Sequence, residues 1–305
     1  MSPSQARSDT PRQGEAPLPD DWDVVVVGGG MAGASAAMYL ARFGLNTLVL
    51  DKGKSSIRQC AFMANYPGFP AGIGIEKLLA LFRAHAESSG AQWLREKAVT
   101  LHRAQDGDRL IVSTDADRTL RADRVIAASA YDVNYFEALG AEALAALRSF
   151  RESDRRDWPR GRTPVRGLYV AGILSRCESQ AVICAGQAAD VALGILEERF
   201  LAGDYWPEVA RYVDWIAHQG RYDKPDFNEK TDAYYRQLIP NSAALSEERI
   251  QAIIDAKKAE VRARQMDAEQ VRQRERAAQW CLLEFIDDEV IEAYIAQRMA
   301  DPTTG

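Results

Sequence analysis

Length, composition and charge exclude several classes of protein. The chain has 305 residues, of which 47% are hydrophobic and 27% charged, which is typical of a globular protein with one large or two modest domains. Its 38 Lys and Arg residues against 44 Asp and Glu residues give a net charge of -6, which provides no electrostatic basis for binding nucleic acid or an anionic membrane surface. We therefore expect partners that are small molecules or other proteins.

The cysteines and histidines argue against metal-binding proteins and hydrolases. The four cysteines form no CxxC motif and no cluster with zinc-ligand spacing, so no metal site is expected. The three histidines lie near no GxSxG or HExxH pattern, which argues against hydrolases. The N-terminus lacks the pattern of a signal peptide, and no stretch reaches the roughly 18 apolar residues of a membrane helix, so we expect a cytoplasmic protein without membrane contact.

Hydrophobic periodicity predicts alternating strands and helices after a disordered, proline-rich tail at residues 1–20. Four consecutive valines at 24–27, helical spacing at 34–42 and an apolar run at 47–50 predict a strand, a helix and a strand. The remaining predicted elements of this domain are a helix at 75–88, strands near 98–102, 110–114 and 124–128, a charged connector at 151–164, a strand at 167–171 and a helix at 180–200. The first domain is thus predicted at residues 21–202, as an α/β fold in which a parallel sheet is joined to a β-hairpin meander.

The C-terminal region, residues 203–305, is predicted to be helical. It opens with aromatic residues between Tyr205 and Tyr235, which either cover a substrate pocket or form the core of a helical appendage. Ser246 is a predicted N-cap for a long helix. Two apolar stripes follow, and we expect at least one of them to pack against the first domain or a second subunit. Their members are Ile250, Ile253, Ile254 and Val261 in the first, and Val290, Ile291, Tyr294, Ile295 and Met299 in the second.

A GxGxxG motif stands directly after the valine strand and opens the first helix. Its glycines are Gly28, Gly30 and Gly33, and Asp51 ends the next strand. Glycines let the backbone approach a pyrophosphate, whose charge then meets the free N–H groups of the helix N-terminus, and the acidic residue accepts hydrogen bonds from a ribose. This Rossmann-like pattern predicts a dinucleotide site but leaves FAD and NAD as alternatives.

Further motifs resemble the low-molecular-weight thioredoxin reductases. Asn-Tyr-Pro-Gly-Phe-Pro at 65–70 resembles the flavin-contacting loop of that family, and residues 124–130 resemble its "ATG" strand. Residues 167–172 and 180–188 resemble its closing strand and flavin-facing helix. The four motifs occur in the family's order over residues 23–200, which is about the flavin half of such proteins.

The resemblance implies an FAD-binding domain in a protein that pairs as a homodimer. The implied cofactor-binding residues are Gly28, Gly30, Met31, Ala32, Gly33, Asp51, Lys52, Asn65, Val99, Ala128, Gly172, Gln180 and Ala181. Helix N-termini favour negative charge, so Gln180 and Ala181 are expected to lie where charge develops on the reduced flavin.

The sequence departs from this family at three places. The nicotinamide domain belongs between the ATG strand and the closing strand, yet only about 36 residues separate Ala130 from Gly167, and the redox CxxC of that domain is missing with it. The family's closing Gly-Asp is Gly172-Ile173 here, which removes a hydrogen bond to a charged group and costs about 1.5–3 kcal/mol of FAD binding. Thioredoxin reductase activity is therefore not expected.

Two cysteines lie in loops that the resemblance brings towards the flavin. Cys60 and Cys177 are candidate catalytic thiols, and Arg58 is a candidate to lower a thiol pKa or bind an anionic substrate. The alternative is that both cysteines are small apolar packing residues and that Arg58 is merely solvated.

These observations predict an FAD-dependent oxidoreductase that acts on a small-molecule substrate or with a redox protein partner. One alternative is an accessory subunit in which the FAD fold is a scaffold that docks a protein partner. A second alternative is a protein with a single Rossmann unit that binds NAD without flavin.

Overall fold

The fold is described from a computed structural model that covers residues 19–105, 107–152, 159–202, 229–239, 245–263 and 267–300. The chain divides into two compact units, residues 1–197 and 198–305. The division falls within a helix that ends at Ala202, the residue at which sequence patterning ends the first domain. Residues 1–18 of the predicted tail and most of the aromatic segment that begins at Tyr205 lie outside the described residues.

The first unit is built on a seven-stranded sheet. Its strands are β1 (Asp21–Val27), β2 (Thr47–Leu50), β5 (Gln92–Leu94), β6 (Ala98–Arg103), β7 (Leu110–Thr114), β8 (Thr119–Ala127) and β9 (Leu168–Val170). They lie in the order β5-β2-β1-β8-β7-β6, with β9 beside the second half of β8. Strands β1, β2, β5, β8 and β9 pair in parallel, and β6, β7 and β8 form an antiparallel meander. A separate hairpin contains β3 (Phe62–Met63) and β4 (Ile73–Gly74). The predicted α/β sheet with a hairpin meander is confirmed.

Helices pack on this sheet and hold its strands in place. Helix α1 (Met31–Arg42) contributes a buried face of small residues, so it lies close to the sheet, and α2 (Ile75–Ser88) packs against it through an apolar cluster that includes Met31 and Leu78. Helix α4 (Ala181–Ala202) follows β9. Helix α3 (Ala141–Glu152) was not predicted, and its last two residues begin the stretch predicted as a connector. The charged residues at 148–152 interrupt the helical spacing of apolar residues from which a helix would be predicted.

The core of the first unit explains why valine and leucine runs form its strands. Val24, Val25 and Val26 are fully buried, as are Leu48 and Leu50 on the neighbouring strand. Parallel strands are covered on both faces and therefore require continuous apolar runs rather than alternation. The predicted boundaries of β7 and α2 agree with the structure, whereas β8 begins at Thr119 and is longer than the predicted strand.

The second unit is helical in the described residues, as predicted. Its helices are α5 (Glu229–Leu238), α6 (Glu247–Ala263), α7 (Ala268–Leu283) and α8 (Asp288–Ala300). The Ser246 hydroxyl accepts a 3.2 Å hydrogen bond from the backbone N–H of Arg249, which confirms the predicted N-cap. The long stretch is two helices rather than one, because Asp267 forms a capping box with Gln270 and starts α7.

The two apolar stripes have different surroundings. Ile250, Ile253 and Ile254 are buried against Ile239, with Tyr235 and Leu245 packed around them. We expected at least one of the two stripes to pack against the first domain or a second subunit; this first stripe packs instead on the segment around α5. The second stripe stays exposed in the isolated chain, since Tyr294 is 61% and Met299 is 79% accessible.

None of the described helices combines the length and apolar character needed to cross a bilayer.

Candidate functional site

A cavity of about 490 Å³ lies at the carboxyl ends of the parallel strands. Its walls include Val27 at the end of β1, Leu50 at the end of β2, Ala128 directly after β8 and Gly172 shortly after β9. Ligands in open α/β sheets bind at this edge, where the loops after the strands converge. The cavity is therefore the candidate site of the first unit.

Glycines of the GxGxxG motif shape one wall of this cavity. Gly28 has a φ of +118°, and a Cβ there would stand 2.4 Å from the carbonyl oxygen of Ala128. A Cβ at Gly33 would stand 1.8 Å from the carbonyl oxygen of Gly28, so only glycine allows the turn to pack on the helix. Gly30 differs, because its nearest obstacle is the Ser55 hydroxyl at 2.8 Å, the end of a flexible side chain. The backbone at Gly30 thus leaves room for a ligand beside the N-terminus of α1.

Asp51 occupies the position expected of the ribose-binding carboxylate. Its Oδ1 accepts a 2.8 Å hydrogen bond from the backbone N–H of Gly53, and Arg95 Nη1 lies 3.7 Å from its Oδ2. A Cβ at Gly29 would meet the Asp51 side chain at 2.5 Å, so this carboxylate is held directly over the glycine turn. The second predicted residue here, Lys52, is ion-paired with Asp132. Burial opposes ionisation of Asp132, but the hydrogen bond and charge of Lys52 outweigh it and lower the pKa of this carboxyl.

Another part of the cavity lining comes from the start of β6 and the residues before it. Val99 is 41% exposed and lies outside the cavity lining, whereas Ala98 and Lys97 line it. The pairing of β6 with β7 shifts register between Ala98 and Thr100, so the exposed Val99 lies at a bulge, and its assignment to FAD stays a prediction. Glu96 also lines the cavity, and its Oε2 is buried without a hydrogen-bond partner in the described residues. Such an acceptor fits a ligand with N–H or O–H donors.

The opposite end of the cavity joins two distant loops. The side-chain amide of Asn65 donates a 3.0 Å hydrogen bond to Oε1 of Gln180. Gln180 directly precedes α4, and Ala181 is the first residue of that helix, so both lie at its positive N-terminus. The structure therefore brings together the two flavin-facing segments that the sequence resemblance indicated.

Gly172 also lines the cavity, close to Ala32 of α1. It has a φ of +65°, and a Cβ there would lie 2.7 Å from the Cβ of Ala32. Its backbone N–H donates to Gln187 Oε1 at 2.8 Å, and its carbonyl oxygen accepts a 2.7 Å hydrogen bond from the Ser175 hydroxyl. Ile173 lines the cavity where the resembling family carries aspartate.

Three cysteines lie at or beside the cavity, and only Cys60 and Cys177 among them were predicted as candidate catalytic thiols. Cys60 is exposed and lines the cavity, whereas Cys177 is half-buried outside the lining. The Sγ of Cys177 lies 3.7 Å from the Sγ of Cys184, which is buried and does line the cavity. These two cysteines are seven positions apart, with six residues between them, so no CxxC pattern indicated the pair.

Arg58 is not available in the role suggested for it beside Cys60. Its guanidinium makes two hydrogen bonds to the carboxylate of Glu76, at 2.7 and 2.8 Å, and a third to the carbonyl oxygen of Gly53. These contacts hold the loop after β2 to the start of α2.

Comparison with known proteins identifies the family. The family model described as pyridine nucleotide-disulphide oxidoreductase matches residues 22–187, which is more than half of the chain. The chain belongs to this family. FAD is the cofactor of this family, and the cavity fits it, because the glycine turn and the carboxylate above it are what a dinucleotide requires.

Curated relatives match this chain over a limited stretch. A thioredoxin reductase from Aquifex aeolicus is 34% identical over 110 residues, covering 35% of this chain and 33% of the relative. A thiamine thiazole synthase from Sulfolobus acidocaldarius is 33% identical over 112 residues, covering 35% of this chain and 37% of the relative. The chain thus matches about a third of the length of these relatives. A solved thioredoxin reductase from Gloeobacter violaceus is 18% identical, covers 61% of this chain and 96% of its own, and has a TM-score of 0.47.

Proposed function

We propose that this protein is an FAD-dependent oxidoreductase that transfers two electrons between its flavin and a small-molecule substrate or a redox protein partner. The observation that carries the proposal is one cavity that joins the glycine turn, Asp51 and the N-terminus of α4. These are the groups that would hold the pyrophosphate, the ribose and the flavin ring of a single FAD molecule. When bound, the flavin supplies the electron-transfer chemistry.

The residues around the cavity have separate tasks in this proposal. Gly28, Gly30 and the first turn of α1, with Met31 and Ala32, would bind the pyrophosphate through backbone N–H groups. Asp51 would accept hydrogen bonds from the adenosine ribose. The N-terminus of α4, at Gln180 and Ala181, would favour the anionic reduced ring, because its backbone N–H groups and dipole stabilise negative charge.

Thioredoxin reduction is not part of this proposal, although relatives carry that name. The sequence has no CxxC motif, and the segment between Ala130 and Gly167 is too short for a second dinucleotide-binding domain. In the described residues that segment contains the helix α3 and short turns. An external donor or acceptor therefore has to exchange electrons with the flavin directly or through another group of this chain.

A homodimer is the assembly we propose. In the second unit, α7 and α8 contribute no buried residue, and their exposed apolar side chains include Trp280, Tyr294 and Met299. An apolar surface of this kind typically marks a protein contact. The same surface would suit an accessory subunit, which makes the scaffold function the second candidate.

The visible spectrum of the purified full chain tests the proposal. Bound oxidised flavin that bleaches in anaerobic titration with an added reductant supports an oxidoreductase. A colourless protein that fails to bind added FAD would overturn it and favour the scaffold. Binding of NAD without flavin would instead support a single nicotinamide site.

A further inference from the structure

The charged side chains that line the cavity come from three places: the start of the loop after β2, the residues before β6 and the loop after β8. They are Asp51, Lys52, Lys54, Glu96, Lys97 and Asp132. The remaining lining residues include two segments, 55–65 and 172–184, which meet where Asn65 bonds Gln180 and which we call the flavin end of the cavity. Among the described residues that line the flavin end, none carries a charged side chain. A ligand that enters there therefore finds no ionic partner in the lining.

Phe62 provides an aromatic surface at the flavin end. It lies on β3, opposite Gly74 of β4, and it lines the cavity. Its neighbour Met63 packs on the apolar cluster that includes Met31. Successive residues of a strand face opposite sides, so the Phe62 ring is directed away from that cluster. The ring is 56% exposed although it lines the cavity, as expected of a side chain at the opening.

The position of this ring is set by the hairpin. A Cβ at Gly72 would stand 2.3 Å from Cε1 and 2.6 Å from Cζ of Phe62, so the ring packs directly on the backbone of this glycine. Gly72 has a φ of +80°, which glycine adopts without strain, and its N–H donates a 2.8 Å hydrogen bond to the carbonyl oxygen of Phe69. The turn before β4 thus holds the exposed aromatic ring beside the cavity.

We propose that the flavin end of the cavity binds the substrate as an uncharged aromatic molecule that packs against Phe62. The inference rests on the proposed function and assigns it a substrate class. Two aromatic rings in contact attract each other beyond the effect of the apolar area that they bury. A charged group at this end would lose its water without gaining an ionic partner from the lining, which is unfavourable.

The polar side chains at the flavin end also suit a neutral substrate. Gln59 and Ser179 line it together with Asn65 and Gln180. Amides and hydroxyls both donate and accept hydrogen bonds, so they can serve a carbonyl, hydroxyl or amide group of a ligand. The N-terminus of α4 would favour an anion, but in the proposed function the reduced flavin ring uses it. A substrate carboxylate would have to compete with the ring for that position.

The test uses the full-length holoprotein and three probes of similar size. Benzamide is uncharged and aromatic, benzoate is aromatic but charged, and cyclohexanecarboxamide is uncharged but not aromatic. Saturation-transfer NMR titration measures the Kd of each probe, and difference spectra report whether the probe perturbs the bound flavin. Benzamide should bind and perturb the flavin spectrum. Benzoate should bind at least tenfold more weakly, and cyclohexanecarboxamide about two- to tenfold more weakly.

Variants of the full chain connect the selectivity to one ring. Phe62→Leu keeps an apolar side chain but removes the aromatic ring, so it should weaken benzamide binding by about two- to tenfold and abolish the preference for benzamide over cyclohexanecarboxamide. Ile183→Ala is the matched control. Ile183 is 41% exposed on α4 and lies outside the cavity lining, so its truncation should leave all three Kd values unchanged.

Each result decides for or against the substrate class. Failure of benzamide to bind overturns the proposal, as do equal Kd values for benzamide and benzoate or a wild-type Kd for benzamide in Phe62→Leu. A smaller oligomeric state of Phe62→Leu in light scattering would assign the ring to a subunit contact and would likewise overturn it. Flavin that dithionite bleaches, without selective benzamide binding, contradicts the substrate class alone. A protein without flavin contradicts the oxidoreductase proposal, and the NMR titrations then still decide whether Phe62 selects an uncharged aromatic ligand.

Discussion

The side-chain amide of Asn65 donates a hydrogen bond to Oε1 of Gln180 across 115 residues of sequence. It links the loop after β3 to the N-terminus of α4, the two segments that border the proposed flavin-ring end of the cavity. Each partner holds the other in position, so the two side chains should act on flavin binding as a unit.

Asn65→Ala and Gln180→Ala should each weaken FAD binding by about 1 kcal/mol, roughly fivefold in Kd, because each removes the same hydrogen bond. The double variant should lose little more than either single variant. Fluorescence titration of the apoproteins with FAD measures all three. Asn46→Ala is the control, since that amide bonds the backbone of Asp21 at the other end of the strands. Fully additive losses would contradict the coupling.

Gly30→Val should abolish flavin retention. The space beside Gly30 is bounded by the flexible Ser55 hydroxyl, so a valine can be accommodated but would fill the room that the pyrophosphate needs. Gly186→Val is the matched control, because a Cβ at that exposed helical position meets nothing within 4 Å. The ratio of flavin absorbance to protein absorbance after purification gives the stoichiometry. Wild-type flavin content in Gly30→Val would disprove the pyrophosphate assignment.

Much of the fold and part of the site could be predicted from sequence because local chemistry determines them. The valine run, the glycine turn and Asp51 can each be recognised in a short stretch of sequence. Each has the structure or position that this stretch predicts. The presence of Ala98 rather than Val99 in the cavity lining could not be predicted, since both residues are apolar and only their burial separates them. The contact of Cys177 with Cys184 depends on how one turn places two side chains, and no sequence spacing reports that geometry.

Alkylation of Cys177 should be fast near neutral pH. Its pKa is lowered from the ordinary value of 9.0 to about 7, first by the hydrogen bond from Cys184. Only the thiolate reacts, so the rate should rise with pH around 7 in the wild type and at clearly higher pH in Cys184→Ala, which removes the donor. Cys184→Ser keeps a donor and should shift the profile less. Iodoacetamide labelling of the Cys177 peptide at several pH values measures this, and identical profiles in all three proteins would refute it.

NADPH alone should not reduce the flavin rapidly. The cavity has one glycine turn, and no second GxGxxG stands between Ala130 and Gly167, where the resembling family inserts its nicotinamide domain. Anaerobic stopped-flow mixing of the holoprotein with NADPH should therefore show no fast, saturable bleaching, whereas dithionite should bleach the same sample completely. Rapid saturable reduction would mean that this chain binds nicotinamide at a site other than the one expected from its relatives.

Removal of the second unit should change the assembly of the protein. Tyr294 and Met299 are 61% and 79% exposed on α8, and apolar side chains in such numbers are normally covered by a partner. A chain ending at Ala202 should therefore elute with a smaller oligomeric state than the full chain, as measured by light scattering after size exclusion. Tyr294→Ser with Met299→Ser should weaken the dimer without loss of flavin, while Glu292→Ser on the same helix should leave it intact. If the truncated chain keeps its flavin, the oligomeric state of the full chain and normal turnover, the second unit is dispensable and the homodimer must form through the first.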